Sequence, residues 1–140
     1  FNQVSIIQDP IYRFANNTTR YANSNNLRAT TRLFVADPGV SNFVQDETVY
    51  VGSTVINASG VANVAHWDPN DNYLYINNIT GTFAVQEAIK GESSGISIPI
   101  IEIANSEIKP FSGTLLYTEN RKNVVRLDNQ IDQIKVILSF

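Results

Sequence analysis

His66 is the only histidine in the chain, so any imidazole chemistry would have to involve it. It stands beside Trp67 in an apolar, alternating stretch. A nucleophilic triad or a metal site would need further residues of the right type at a suitable spacing, and the sequence offers none. The alternation predicts that its side chain shares a face with Ala62 and Val64. We therefore interpret the histidine as a structural residue on the face opposite the tryptophan.

Residues 68–72 (DPNDN) offer side-chain oxygens at alternating positions, like the start of a calcium-binding loop. A loop of that type requires glycine at its sixth position and glutamate at its twelfth, where this sequence has Tyr73 and Ile79. Aspartate and asparagine tolerate left-handed backbone, and proline pre-sets one torsion angle of a turn. The segment is therefore predicted to be a hairpin turn.

Carboxylates are the other candidates for catalysis, because a pair of them can hydrolyse a glycosidic bond. No two glutamates are flanked by the aromatic and amide side chains of a sugar subsite, and residues 91–95 lack the lysine and the following helix of a phosphate loop. The chain has no cysteine, which excludes disulfides and thiolate metal sites. We expect no enzymatic activity, no bound metal and no cofactor. The glutamates considered are Glu87, Glu92, Glu102 and Glu107.

The composition predicts an all-β fold. Charged residues make up only 16% of the chain, and valine, isoleucine, threonine and tyrosine, which favour strands, are plentiful beside many asparagines, which favour turns. Residues 133–140 alternate strictly between apolar and polar, which is typical of a strand with one face in a core. An apolar edge strand must be paired, and residues 3–8 are the best candidate. The pattern predicts a small sheet that pairs the two chain ends.

The middle of the chain carries short alternating segments separated by turn clusters. Such spacing is typical of a sandwich or small barrel, so residues 29–103 are predicted to form a five-stranded, barrel- or sandwich-like module. Pro99 cannot donate to a ladder and places its strand at an edge or a bulge. The predicted strands cover residues 29–36, 47–51, 61–67, 73–76 and 96–103.

The net charge of −3 is unevenly distributed. Residues 1–36 carry four arginines against one aspartate, whereas residues 37–120 carry two lysines against ten acids. The positively charged end of the chain could bind an acidic neighbouring protein. Alternatively, both charged regions could be ordinary solvated surface. No apolar run reaches the length of a membrane span, and we expect neither a membrane nor a nucleic acid as partner.

Three segments resemble a known family: residues 1–7, 112–121 and 128–134. They are similar to the C-terminal part of the baseplate wedge protein of contractile-tailed bacteriophages, the subunit that forms a dimer within each wedge. The pair Ser112-Gly113, the run Tyr-x-Glu-Asn-Arg at 117–121 and the last apolar strand carry the resemblance. The middle has no counterpart in the compact form of that family and would be an insertion.

The resemblance implies a structural subunit of the virion, located in the tail baseplate and assembled in the host cytoplasm. Residues 1–28 and 104–140 would form the wedge region, and residues 29–103 the inserted module. The larger N-terminal portion of such proteins is missing, so the chain would be a fragment. Its expected partners are a second copy of itself and other wedge subunits. The expected contact residues are Tyr117, Glu119, Asn120, Arg121 and Phe140.

A carbohydrate-binding β module of a phage tail or adhesin is the alternative interpretation. Trp67, Tyr73 and Tyr75 would then be the stacking platforms. Scaffolding predicts that these aromatic rings are buried or at a protein interface. Sugar binding predicts that two of them are exposed and coplanar beside a groove.

Overall fold

The computed structural model describes residues 2–14 and 20–121, which form eight strands and no helix. The all-β prediction is confirmed. The described residues separate into two compact units, one containing the first and last strands and the other spanning Asp9–Gly113. The strands are β1 (Asn2–Gln8), β2 (Thr31–Val35), β3 (Thr48–Val51), β4 (Gly60–Asp68), β5 (Tyr73–Gly81), β6 (Ala88–Gly91), β7 (Ser97–Ala104) and β8 (Thr114–Arg121).

Six of these strands, β2 to β7, close into a barrel in the order β2-β5-β4-β3-β6-β7, with every neighbouring pair antiparallel. Alternate residues point inward because successive side chains of a strand lie on opposite faces, as the buried Leu33 and Val35 of β2 show. The core is apolar and contains Leu33, Val35, Phe43, Val49, Val51, Ala62, Val64, Leu74, Ile76, Ile89, Ile96 and Ile100.

The barrel has one strand more than the five predicted. The missed strand, β6, has four residues and a single large buried side chain, Ile89, so it carries almost no alternation. Pro99 lies in β7, which is paired on both sides and is not an edge. The prediction for Pro99 allowed an edge strand or a bulge. A bulge does interrupt the β2–β7 ladder nearby, between the partners Glu102 and Ile100.

The barrel consists of two similar halves. The first half is β2, β3 and β4, and the second half is β5, β6 and β7. Exchanging each strand with its counterpart leaves the pairing unchanged: β2 pairs β5, β3 pairs β6, and the β3–β4 and β4–β5 pairs become β6–β7 and β7–β2. The order of the strands in the barrel is therefore two-fold symmetric, a relation that alternation in the sequence does not reveal.

Backbone hydrogen bonds repeat this relation where β3 and β6 begin. In the first half, the N–H of Asp46 donates to the carbonyl of Val64 at 2.9 Å. In the second half, the N–H of Gln86 donates to the carbonyl of Ile100 at 2.8 Å. Asp46 has a φ of 66° and Gln86 a φ of 76°, so both stand in the left-handed region. The same turn starts both strands.

The second compact unit also includes residues 9–14, 20–28 and 105–113 among the described residues, so it is wider than the 29–103 predicted for the module. Isolated bridges pair Ile11 with Tyr21 and Tyr12 with Ile108. The first bridge lies within the segment before the barrel, and the second ties that segment to the one after the barrel.

The first unit is an antiparallel ribbon of β1 and β8. The prediction of a small sheet that pairs the two chain ends is confirmed in this form. The predicted partner of β1, residues 133–140, lies outside the described residues. Ile6 faces Tyr117, Ile7 faces Leu115, and a register shift separates these two pairs.

Candidate binding surfaces

The outer face of β5 carries Tyr73 and Tyr75, while Leu74 between them is fully buried. The guanidinium of Arg32 on β2 lies 4.4 Å from the centre of the Tyr73 ring, a cation–π contact. Phe34 meets the same ring edge-on, with 5.7 Å between ring centres. Neighbouring side chains of the barrel therefore already occupy much of the Tyr73 ring.

Trp67 does not belong to that face. A register shift in the β4–β5 ladder between Val64 and His66 reverses the alternation, since a bulge inserts an extra residue into one strand. The histidine is exposed and the tryptophan packs against the core. The indole N–H donates to Asn42 Oδ1 at 3.0 Å. The prediction that His66 shares a face with Ala62 and Val64 is wrong, because alternation cannot reveal a bulge.

The three aromatic residues named for sugar stacking are thus divided. Tyr73 and Tyr75 share the outer face and are half-buried, whereas Trp67 lies toward the core. The ring of His66 lies 5.7 Å from that of Tyr75, at an angle of 37°. A single platform of Trp67, Tyr73 and Tyr75 does not form.

The residues named for subunit contacts are on β8. The Tyr117 hydroxyl donates to Glu119 Oε2 at 3.2 Å, and the Gln3 amide donates to Asn120 Oδ1 at 3.2 Å. Arg121 is the last residue of β8 and faces Asn2, and Phe140 lies outside the described residues.

Residues 119–123 (ENRKN) are a polar cluster of the kind that favours a turn, yet residues 119–121 continue the strand. Polar side chains suit an exposed ribbon, where cross-strand hydrogen bonds such as Ser5 with Thr118, at 3.2 Å, can pair them.

The ribbon also exposes apolar surface where β1 ends and β8 begins. Ile7 is 52% exposed, Leu115 60% and Leu116 44%. Exposed large apolar side chains that lie next to each other mark interaction sites more often than scattered ones do. This patch, which we call the ribbon patch (Ile7, Leu115, Leu116), was not found from the sequence.

A cleft of about 540 Å³ opens on the outer side of β3 and β6. Tyr50 and Lys90 face each other in the ladder there and occupy equivalent positions in the two halves. The Lys90 ammonium donates to the carbonyl of Gly52 at 2.6 Å, which holds the start of the loop after β3. The lining residues are Tyr50, Thr54, Val55, Ile56, Lys90, Gly91, Glu92, Gly95, Ile96 and Ser97.

Glu47 is a buried carboxylate beneath the loop after β6. Its Oε2 accepts the backbone N–H groups of Ser93 and Ser94, both at 2.9 Å, and its Oε1 accepts that of Val44 at 2.7 Å. Gly91 makes room for it, since a Cβ there would approach Glu47 Oε2 to 2.8 Å. Both oxygens of this buried carboxylate therefore have backbone donors, and we call the arrangement a lock because it holds the loop after β6.

No group of three or more histidine, cysteine, aspartate or glutamate residues that could hold a metal ion occurs in residues 2–14 and 20–121. None of the described segments is a helix of the length and hydropathy needed to span a membrane.

Comparison with known proteins does not assign the chain to a family. No family model matches it, and neither the curated proteins nor the solved structures yielded a match. Its fold class is thus defined by its own geometry: a closed six-stranded barrel and a separate two-stranded ribbon.

Proposed function

We propose that the chain is a structural subunit that acts as a scaffold through protein–protein contacts, with the ribbon of β1 and β8 as its contact surface. The observation that supports this most is the ribbon patch. The particular assembly we propose is the baseplate wedge of a contractile-tailed phage, on the resemblance of residues 1–7 and 112–121 described above.

The ribbon has only two strands. A two-stranded ribbon is at best marginally stable alone, because it buries too little apolar surface. Here Leu115 and Tyr117 remain 60% and 43% exposed. Association would be favoured by about 25 cal/mol for each Å² of this apolar surface that it removes from water. A second copy of the chain is the partner that we propose.

The test is the oligomeric state of the full chain, measured by sedimentation velocity over a range of concentrations. We expect a concentration-dependent dimer, and we expect Leu115→Asp to weaken it at least about tenfold, because a charge would enter the contact. The matched control is Val40→Asp, which changes a fully exposed valine outside the ribbon and should leave the dimer intact.

A chain that remains monomeric at all concentrations would contradict self-association, as would equal effects of Leu115→Asp and Val40→Asp. Co-purification with the other wedge subunits of a contractile-tailed phage tests the particular assembly separately. Loss of that co-purification in Leu115→Asp alone is the expected result.

Carbohydrate binding is the second candidate, and the shared outer face of Tyr73 and Tyr75 favours it. Arg32 covers one of the two rings, so Tyr75 is the better platform. Tyr75→Ala should abolish sugar binding at this face without unfolding the barrel, as checked by saccharide titration and thermal unfolding.

A further inference from the structure

We infer that the cleft beside β3 and β6 is a binding site for a neutral, polyhydroxylated ligand, that is, a short oligosaccharide. The site is distinct from the outer face of Tyr73 and Tyr75 and from the ribbon. Its volume, about 540 Å³, lies in the range of about 300–1,000 Å³ that small-molecule sites occupy.

The side chains of the cleft combine one aromatic ring with several hydrogen-bonding groups. Tyr50 lies on the outer face of β3, since Val49 and Val51 on either side of it are buried. An aromatic ring offers a large, rigid apolar surface with a polar hydroxyl at its end. Thr54 and Ser97 add hydroxyl groups, each both donor and acceptor.

The charges of the cleft argue for a neutral ligand. Lys90 and Glu92 are the two charged residues of its lining, so their charges cancel and neither an anion nor a cation is favoured overall. Lys90 uses one of its three N–H groups on Gly52. A sugar hydroxyl can accept from the ammonium while a neighbouring hydroxyl donates to the carboxylate.

Three polar groups of the cleft have no internal hydrogen-bond partner in the described part of the chain: the Tyr50 hydroxyl, the Ser97 hydroxyl and the Glu92 carboxylate. Glu92 is held in place through its backbone, whose N–H donates to the carbonyl of Thr48 at 2.9 Å. Its side chain is exposed and available to a ligand.

An extended peptide is a poorer fit to the same cleft. Peptides that bind by strand addition need an unpaired strand edge, and β3 and β6 are each paired on both sides. A sugar does not need a strand edge. Ile56, which lines the cleft and is 94% exposed, offers an apolar surface that a sugar ring could cover.

The experiment is a titration of the full ¹⁵N-labelled chain, followed by amide chemical shifts. The probes are maltose, cellobiose, lactose and N,N′-diacetylchitobiose, each up to about 10 mM, which detects a dissociation constant on the order of 1 mM. We expect at least one to shift the amides of residues 50, 54–56 and 90–97 in a saturable way. Trilysine and triglutamate, the charged comparison probes, should not do so.

Two variants test the assignment of the site. Glu92→Gln should weaken the binding about tenfold, because it replaces a charged acceptor by a neutral one, and Tyr50→Leu should abolish it. The matched control is Glu102→Gln, at an exposed carboxylate of β7 outside the cleft lining. Thermal unfolding verifies that each variant is folded.

The inference is overturned if none of the saccharides shifts these amides, or if the shifts centre on Tyr73 and Tyr75. It is also overturned if a charged tripeptide binds the cleft instead, or if Glu92→Gln and Glu102→Gln behave alike. The oligomeric state of the chain is measured separately, so either proposal can fail without the other.

Discussion

The two halves of the barrel begin their middle strands with the same turn but use it differently. In each half a glutamate just before the strand accepts the backbone N–H three residues earlier: Glu47 from Val44 at 2.7 Å, and Glu87 from Ala84 at 2.9 Å. Glu47 is 5% exposed and also holds the loop after β6. Glu87 is only half-buried and accepts no such loop among the described residues.

The reason for the difference lies next to each carboxylate. The position beside Glu47 is Gly91, where no side chain competes for the space. The equivalent residue of the first half is Val51, whose side chain belongs to the core. The loop after β3 is also longer than the loop after β6, spanning residues 52–59 against 92–96. Glu47 is therefore buried and bound to the neighbouring loop because Gly91 has no side chain and the loop after β6 is short.

The largest expected effect on stability is at the equivalent phenylalanines of the two halves. Phe43 is 5% exposed and meets Trp67 edge-on at 5.2 Å, whereas Phe83 only packs against the margin of the core. Phe43→Ala should lower the free energy of unfolding by about 3–5 kcal/mol, because it leaves a cavity. Phe83→Ala should lower it by about 2 kcal/mol.

Urea unfolding of both variants measures the two values. Equal losses would mean that the two phenylalanines contribute equally to the core, against the difference in their burial.

Much of the barrel could be predicted from the sequence, because alternation is a local property. The strands β2, β3, β4 and β5 each bury alternate side chains and were found. Strand β6 could not be found this way, since four residues around Ile89 hold too little pattern. The bulge near His66 was equally hidden, because a register shift is a property of two strands together.

The candidate sites were less accessible to sequence reasoning. Tyr50 and Lys90 stand forty positions apart and meet only because β3 pairs β6. One signal did exist: Phe43, Glu47 and Val49 recur with the same spacing as Phe83, Glu87 and Ile89. A search for internal repeats at that period would have predicted the two halves.

The second comparison concerns the two glutamates. Glu47→Ala would leave the N–H groups of Val44, Ser93 and Ser94 without their acceptor, and should lower the free energy of unfolding by about 3 kcal/mol. Glu87→Ala removes the acceptor of one N–H at a half-buried site and should cost about 1 kcal/mol. The measurement is urea unfolding, supplemented by hydrogen exchange at residues 93 and 94.

Gly91→Ala is the informative control for this pair. A Cβ at that position would clash with Ser94 Oγ and approach Glu47 Oε2 to 2.8 Å, so the variant should loosen the loop and speed exchange at the same two amides. If Glu47→Ala costs no more than Glu87→Ala, the buried carboxylate is not a lock, and the asymmetry of the halves has another origin.

The smallest expected effect is at the left-handed residues before the glutamates, and its sign is opposite. Gln86 and Asp46 are both exposed with positive φ, where a Cβ is strained and glycine is not. Aspartate tolerates this region better than glutamine does. Gln86→Gly should therefore raise the free energy of unfolding by up to about 1 kcal/mol, and Asp46→Gly should raise it by less. Both gains are limited because glycine also increases the entropy of the unfolded chain. Urea unfolding provides the check. A loss of stability in Gln86→Gly would mean that the glutamine side chain supports the turn, so that the two halves differ there as well.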